Sequence, residues 1–350
     1  MLCIDGASGE GGGQVIRTSL AFSAVLQKPV EITKIRAGRA NPGLQLQHLT
    51  AVKAAAEVCG AKVEGAVLGS QELSFTPSLP KAGNYSFDIG SAGSTCLVLQ
   101  TLLPPLLFAG GESRVKITGG TSNPFAPSGF FMQKAFAPAL ALMGGQVSVD
   151  VKRWGWFPKG GGVLEAAVTP VGQLRPIALV PNPAKPTKIR GHSIVSNLPM
   201  EIAERMKAKA LRELADLGQS DAKIELLNAP SVGTGAELFL LAEADGFANG
   251  FSALGEKSKP AHKVAGEAVH GLKVFLDSGA AVEEHSADQL LLYCALAKGE
   301  SSFSVSRIGK HLLTNAHVIR QFVPECAIEV SGREGEKGEV KVMGMGFQKR

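Results

Sequence analysis

One order of elements, a Gly-rich turn, an apolar helix, a short turn and an alternating strand, occurs three times in this 350-residue chain. A repeat of that kind constrains the fold more than any single motif, because each copy needs its neighbours to bury its apolar face. The first copy runs GGGQVIRTSLAFSAVLQKPVEITKI, the second GSAGSTCLVLQTLLPPLLFAGGESRVKITG and the third ADQLLLYCALAKGESSFSVSRIG. Behind each come a loop, a second helix, a turn marked by Gly or Pro, and one or two strands. In the first copy the apolar positions recur at helical spacing from Leu46 to Val58 and then alternate. The unit reads as helix, strand, helix, strand, strand, with helices covering one sheet face, and the chain as an α/β (α+β) protein.

Between the second and third copies the stretch from about Ala178 to Gly279 breaks the pattern. It has strand-like runs of its own, TKIRGHSIV, AKIELLNA and AELFLLAEA, and two helical runs, MEIAERMKAKALRELADLG and PAHKVAGEAVHGLKVFLDSG. Insertion into a surface connection accounts for it, since such sites tolerate added chain. The expected organisation is a large domain over residues 1–177 and 280–350, with a small α/β domain inserted over 178–279.

A hydrophobic fraction of 45% with 19% charged residues describes a globular chain with a real core and excludes the disordered and fibrous classes. No apolar run approaches the roughly 18 residues of a spanning helix. The start of the chain, with Asp5 and Glu10, lacks a basic-then-apolar leader, so a cytosolic protein without a membrane partner is expected. The five cysteines are scattered with no Cys-x-x-Cys pair, which points to buried thiols rather than a disulfide framework or structural zinc. A net charge of +5 is mildly favourable to a polyanionic partner.

The loop SGEGGGQVIR, Ser8 to Arg17, fits neither familiar phosphate loop. A P-loop needs Gly-Lys-Ser/Thr where Gly13, Gln14 and Val15 stand, and a dinucleotide fingerprint begun at Gly9 needs glycine at Gln14. A plain turn and an unfamiliar anion site both remain open. Loops that precede equivalent helices should gather on related faces and offer positive helix ends, each worth about 0.3 to 1 kcal/mol to an exposed anion. Glu10, Gln14 and Arg17 lie on the first such loop, and Arg36, Arg39, Gln47 and His48 follow before the next helix. Two arginines three apart suit forked contact with phosphate, or are solvated loop cations. His311, within KHLLTN, could be a nucleophile, a general base, a metal ligand or a helix-flanking histidine. His317 is six residues on, off metal-ligand spacing, so zinc is disfavoured. The run KRWGWFPKGGG, Lys152 to Gly162, interleaves both tryptophans with cations and could stack bases, or could be a hairpin with packed aromatics.

Taken together, DGASGEGGGQVIRTSL, IRAGRANPGLQLQHLTAVKAAAEVCGAKVEGAVLGSQ, IGSAGSTCLVLQTLLP, GGTSNPFAPS, RWGWFPKGGG and KHLLTN resemble the RNA 3'-terminal phosphate cyclase family over nearly the whole length. The resemblance implies three repeated units similar to the C-terminal domain of translation initiation factor 3, plus an inserted smaller domain. It implies ATP-dependent conversion of an RNA 3'-phosphate to a 2',3'-cyclic phosphate, with His311 as the nucleophile that forms a covalent histidine-AMP. Carried over by position, Gln100, Pro127, His285, Ser286, Ala287, Asp288 and Gln289 belong to the ATP site, with Pro127 and His285 flanking adenine. The family carries Tyr where His285 stands, a larger stacking surface. Glu10 is the implied holder of Mg²⁺ or Mn²⁺, and Arg17, Arg36, Arg39 and Gln47 are implied phosphate or RNA contacts. Two other classes compete. Cyclase-like proteins of ribosome assembly bind without reaction and differ at the nucleophile, and enolpyruvyl transferases build sheets from comparable repeats. Oligomeric state is open.

Overall fold

The computed structural model describes residues 1–180, 188–244 and 246–349. The first unit comprises β1 (Leu2–Asp5), α1 (Gly13–Leu26), β2 (Val30–Thr33), α2 (Leu46–Cys59), β3 (Lys62–Glu64) and β4 (Leu73–Thr76). In the second are β5 (Asn84–Asp88), α3 (Thr95–Leu107), β6 (Ser113–Gly119), α4 (Gly129–Phe131), a π-helical turn over Met132–Phe136, α5 (Ala137–Leu142), β7 (Gln146–Arg153) and β8 (Gly162–Thr169). Strand β9 (Ala178–Leu179) follows. The inserted segment carries β10 (Lys188–Ser196), α6 (Met200–Asp216), β11 (Lys223–Asn228), β12 (Gly235–Ala244), β13 (Phe247–Leu254) and α7 (Ala261–Ser278). The chain closes with α8 (Glu284–Leu296), β14 (Lys298–Val305), α9 (Lys310–Phe322), β15 (Ala327–Ser331) and β16 (Gly338–Met345).

Among the described residues, three of the four sheets share one topology, in the orders β1-β2-β4-β3, β5-β6-β8-β7 and β9-β14-β16-β15. In each, the first two strands are parallel and the other pairings antiparallel. The observed unit therefore begins with a strand that the expected helix, strand, helix, strand, strand order lacked. That leading strand supplies the parallel partner, and the helix between is the crossover that parallel pairing requires. In the third sheet the leading strand is β9, which pairs Ala178 and Leu179 with β14. The fourth sheet, β11-β10-β12-β13, differs in order and belongs to the inserted segment. Thr187, at the start of the expected strand TKIRGHSIV, lies outside the described residues.

The patterns behind these elements are physical. In α6 the buried positions are Ala203, Met206, Ala210 and Leu214, one stripe at helical spacing that packs on α7 and on the inserted sheet in a separate apolar cluster. Helix α1 is buried on every side from Val15 to Val25, as a helix enclosed by others must be. It packs against α2, α3 and α9, while α8 packs on α9, so the helices of all three units meet in one core. Phe22 and Phe322 stack at 5.8 Å where α1 crosses α9. Truncating either ring to alanine costs about 3 to 5 kcal/mol. Among the described residues no helix is long and apolar enough to cross a membrane.

Candidate functional site

The N-termini of α1 and α9 come together, and both begin at glycine, Gly12 and Gly309, with no side-chain cap. Uncapped ends present backbone N–H groups and the positive end of each helix dipole. The loop before α1 is tied to α9 because Glu10 N donates to Thr314 Oγ1 at 3.1 Å. A Cβ at Gly12 would stand 2.4 Å from Glu10 Oε1 and 2.9 Å from Arg39 Nη2, so glycine there lets the carboxylate and the guanidinium close over the backbone.

Glu10 is the hinge of the site's charges. Its Oε2 accepts from Arg39 Nη2 at 2.7 Å, and its Oε1 stands 3.4 Å from His311 Nδ1. The carboxylate side chain is 11% exposed and the imidazole 44%, so the histidine faces outward from a sheltered partner. Burial lowers the His311 pKa and outweighs Glu10, with Arg17, His285 and Arg39 adding to the depression, so the ring is neutral near pH 7.

Beside His311 opens a cleft of about 530 Å³. Gln100, Pro127, His285, Asp288, Gln289 and Arg17 all line it. Ser286 and Ala287 do not: both are buried in α8, where Glu283 caps the helix by accepting from the His285 and Ser286 backbone N–H groups. Helical spacing explains the division, because His285, Asp288 and Gln289 are i, i+3 and i+4 on one face. Arg36 and Gln47 also lie off the cleft. The Arg36 guanidinium donates to the Asn41 and Gly43 carbonyls and closes its own loop, and Gln47 Oε1 accepts from Ser94 N at 2.9 Å, at the start of α3.

The electrostatics are those of a buried polar pocket. Burial lowers the Arg17 guanidinium to about 10, against the pull of Glu10 and Asp288. Burial pushes Asp288 up to about 7, with Glu283 and Glu284 adding to the rise and His285 and Arg17 opposing it. His285 is exposed at the cleft, where partial desolvation favours its neutral form, but Glu283, Asp288 and Glu284 outweigh it and raise its pKa. Arg17 Nε, Gln100 Nε2, Gln289 Oε1 and His311 Nδ1 are buried without hydrogen-bond partners. Such atoms cost free energy unless a ligand satisfies them.

Residues outside the expected set complete the site. Asn315 sits beneath the cleft, accepting from Gln14 Nε2 at 2.9 Å and Thr18 Oγ1 at 2.6 Å and donating to the Asp288 carbonyl at 2.9 Å. It joins α1, α8 and α9 in one buried polar layer. The inserted segment supplies a wall through Gly250, Ser252, Leu254, Glu256 and Lys259, and Phe125 stands fully exposed at the rim with φ of 59°. The sequence signal for Asn315 was its place in KHLLTN; the inserted wall had none. Both tryptophans of KRWGWFPKGGG are buried, with Trp154 N donating to the Pro230 carbonyl at 2.8 Å, so this run joins the large body to the inserted segment. Among the described residues no group of three or more His, Cys, Asp or Glu is placed to hold a metal ion.

A sequence model of the family described as RNA 3'-terminal phosphate cyclase matches residues 8–329. The chain is 44% identical over 347 residues to the RNA 3'-terminal phosphate cyclase of Pyrobaculum neutrophilum, an alignment that covers 98% of this chain and 99% of the relative. Among solved structures, the enolpyruvyl transferase NikO from Streptomyces tendae aligns at a TM-score of 0.27 and 15% identity, over 61% of this chain and 38% of that one. A likeness that weak carries no argument about fold or function.

Proposed function

The chain belongs to the RNA 3'-terminal phosphate cyclase family, and from that premise we propose that it converts an RNA 3'-terminal phosphate to a 2',3'-cyclic phosphate using ATP. The observation that carries the reading is His311, a neutral imidazole with Nδ1 turned to Glu10 at the mouth of the cleft. The Glu10 carboxylate, 3.4 Å from Nδ1 and not hydrogen-bonded to it, favours through its charge the tautomer protonated there and leaves Nε2 as the free nucleophile.

Direct closure by the neighbouring 2'-hydroxyl would have to expel a poorly leaving phosphate oxygen, so the 3'-phosphate is activated first. His311 Nε2 attacks the α-phosphorus of ATP; the N–P bond forms, the bond to the β-phosphate oxygen breaks, and pyrophosphate leaves. The RNA 3'-phosphate oxygen then takes the AMP from His311, breaking the N–P bond. Finally the 2'-hydroxyl attacks the activated 3'-phosphorus and AMP departs. Covalent catalysis divides one difficult transfer into easier ones, and proximity drives the last.

The unpartnered atoms of Gln100, Gln289 and Arg17 take up the nucleotide's polar groups, and the uncapped starts of α1 and α9 favour its phosphates. The donor set fits a Mg²⁺ or Mn²⁺ ion bound by Glu10 together with phosphate oxygens, since Mg²⁺ commonly uses one or two carboxylates plus substrate phosphates. Such an ion, when bound, neutralises phosphate charge. The strand order the three units share with one another supports their likeness to the C-terminal domain of translation initiation factor 3, and the separate apolar cluster supports an inserted domain that starts after Ala178 and Leu179, which pair in the third sheet, and ends by Gly279. The free cysteines fit a reducing cytoplasm.

The test is conversion of a 3'-phosphorylated oligoribonucleotide with ATP and Mg²⁺. The reading predicts an end resistant to phosphatase, formed with release of AMP and pyrophosphate and absent for a 3'-hydroxyl end. An end that stays phosphatase-sensitive in a folded preparation that binds the RNA would favour a binding protein.

A further inference from the structure

One buried carboxyl ties two walls of the cleft together. Glu237, the third residue of β12, is fully buried. Its Oε2 accepts from Ser122 Oγ at 2.6 Å, and the Ser128 and Ser252 hydroxyls face the same carboxyl. Ser128 Oγ and Ser252 Oγ stand 3.3 Å apart. Ser122 and Ser128 bracket the loop that carries Asn123, Phe125 and Pro127 along the cleft, and Ser252 lies on β13, which lines another side of it. Ser128 also caps α4, accepting from Phe131 N at 3.3 Å. One end of the loop is therefore hydrogen-bonded to Glu237 through Ser122, and the other reaches the inserted sheet through the Ser128–Ser252 pair that faces the same carboxyl.

A carboxyl in that position calls for a reason. Glu237 Oε1 is buried without a hydrogen-bond partner, and no ion pair compensates the residue among the described residues. A hydrocarbon of similar volume would pack there at lower cost. What a hydrocarbon lacks is a directional grip on hydroxyls arriving from separate segments. The loop's other anchor comes from the large body, where Gly155 N donates to Thr121 Oγ1 at 3.0 Å and Ser122 N to the Gly155 carbonyl at 3.3 Å.

We propose that Glu237 is a positioning residue for the nucleotide site, its carboxyl gripping the Ser122 end of the 122–128 loop and backing the Ser128–Ser252 pair that ties the other end to β13, so that Pro127 is set at the distance a base requires. The inserted segment is then a working part of the nucleotide site. This rests on the ATP reading above.

The test compares wild type, Glu237→Leu, Glu237→Gln and Ser122→Ala as full chains, by amide hydrogen exchange and by ATP binding and turnover. Glu237→Leu should speed exchange across residues 121–131 while peptides from α8 and α9 stay as in wild type. It should raise Kd and KM for ATP about tenfold, with kcat at saturating ATP within about threefold. Glu237→Gln, which keeps a hydrogen-bonding group of the same shape, should restore wild-type values within about threefold. Ser122→Ala should move exchange and KM the same way by less, and decides the matter if the leucine variant loses cooperative melting. An unchanged loop, a loosened loop with unchanged ATP affinity, or a glutamine variant no better than leucine overturns the proposal. A wild type that binds no ATP, with the leucine loop loosened all the same, overturns the nucleotide reading and with it the positioning role, while keeping the tie itself.

Discussion

Glu10 Oε1 stands 3.4 Å from His311 Nδ1, with Glu10 Oε2 held at 2.7 Å by Arg39, so residues from opposite ends of the chain share one sheltered carboxylate. Glu10 is hydrogen-bonded to Arg39 and faces the imidazole without a hydrogen bond to it, and in the proposed reaction its charge orients that ring. Glu10→Gln keeps the shape and removes the charge. It should cut AMP transfer to the protein by about 100-fold, in the range for loss of a positioned acid or base partner. Single-turnover labelling with ATP measures it, and a rate within threefold of wild type would remove Glu10 from the chemistry.

Gly12 offers a second probe of the same contact without touching a charged group. Its φ of −110° is ordinary for any residue, so alanine adds only a methyl group, aimed at Glu10 Oε1 and Arg39 Nη2. Gly12→Ala should slow labelling about 10- to 100-fold through misplacement of the carboxylate. Gly38→Ala, where a Cβ meets nothing within 4 Å, is the control and should label as wild type does. Equal rates in the two variants would show that the Glu10 geometry is slack.

How much of this was readable beforehand follows from the range of each interaction. Helices α2, α6 and α7 announce themselves through local periodicity, as most strands do, and α1 through its apolar run. The leading strands β1, β5 and β9 are four, five and two residues long and exist through their parallel partners, which no local pattern shows. Strand β13, FANGFSAL, is interrupted by Asn249 and Gly250 and is held by pairing with β12. In the site, helical phase alone separates His285, Asp288 and Gln289 from Ser286 and Ala287. By contrast, the engagement of Arg36 and Gln47 with backbone, the Asn315 layer and the inserted wall all depend on contacts distant in sequence.

The buried carboxyl of Asp288 makes a prediction in pH. Its folded pKa of about 7 lies above the unfolded value near 4, so the folded protein keeps a proton there that the unfolded chain releases. The stability it contributes is complete below about pH 4 and is lost as pH rises through 7. His48 has the opposite sign. Burial, with Arg17 and Arg36, depresses it to about 3, so its contribution is complete above the unfolded value near 6.5 and is lost as pH falls towards 3. The two offset each other in wild type. Asp288→Asn removes the first alone, and its unfolding free energy should gain on wild type by about 1 kcal/mol per pH unit between about pH 4 and 7. Urea unfolding of both proteins across that window gives the difference, and parallel pH profiles would contradict the assignment.

The most direct measurement is covalent labelling. Purified protein is incubated with ATP labelled at the α-phosphate and Mg²⁺, with and without 3'-phosphorylated RNA, beside folded His311→Ala and His311→Asn variants, and resolved under denaturing conditions. The account predicts an acid-labile, alkali-stable label on wild type that both variants lack. A label retained by the folded variants, or none on folded wild type under either condition, would contradict it.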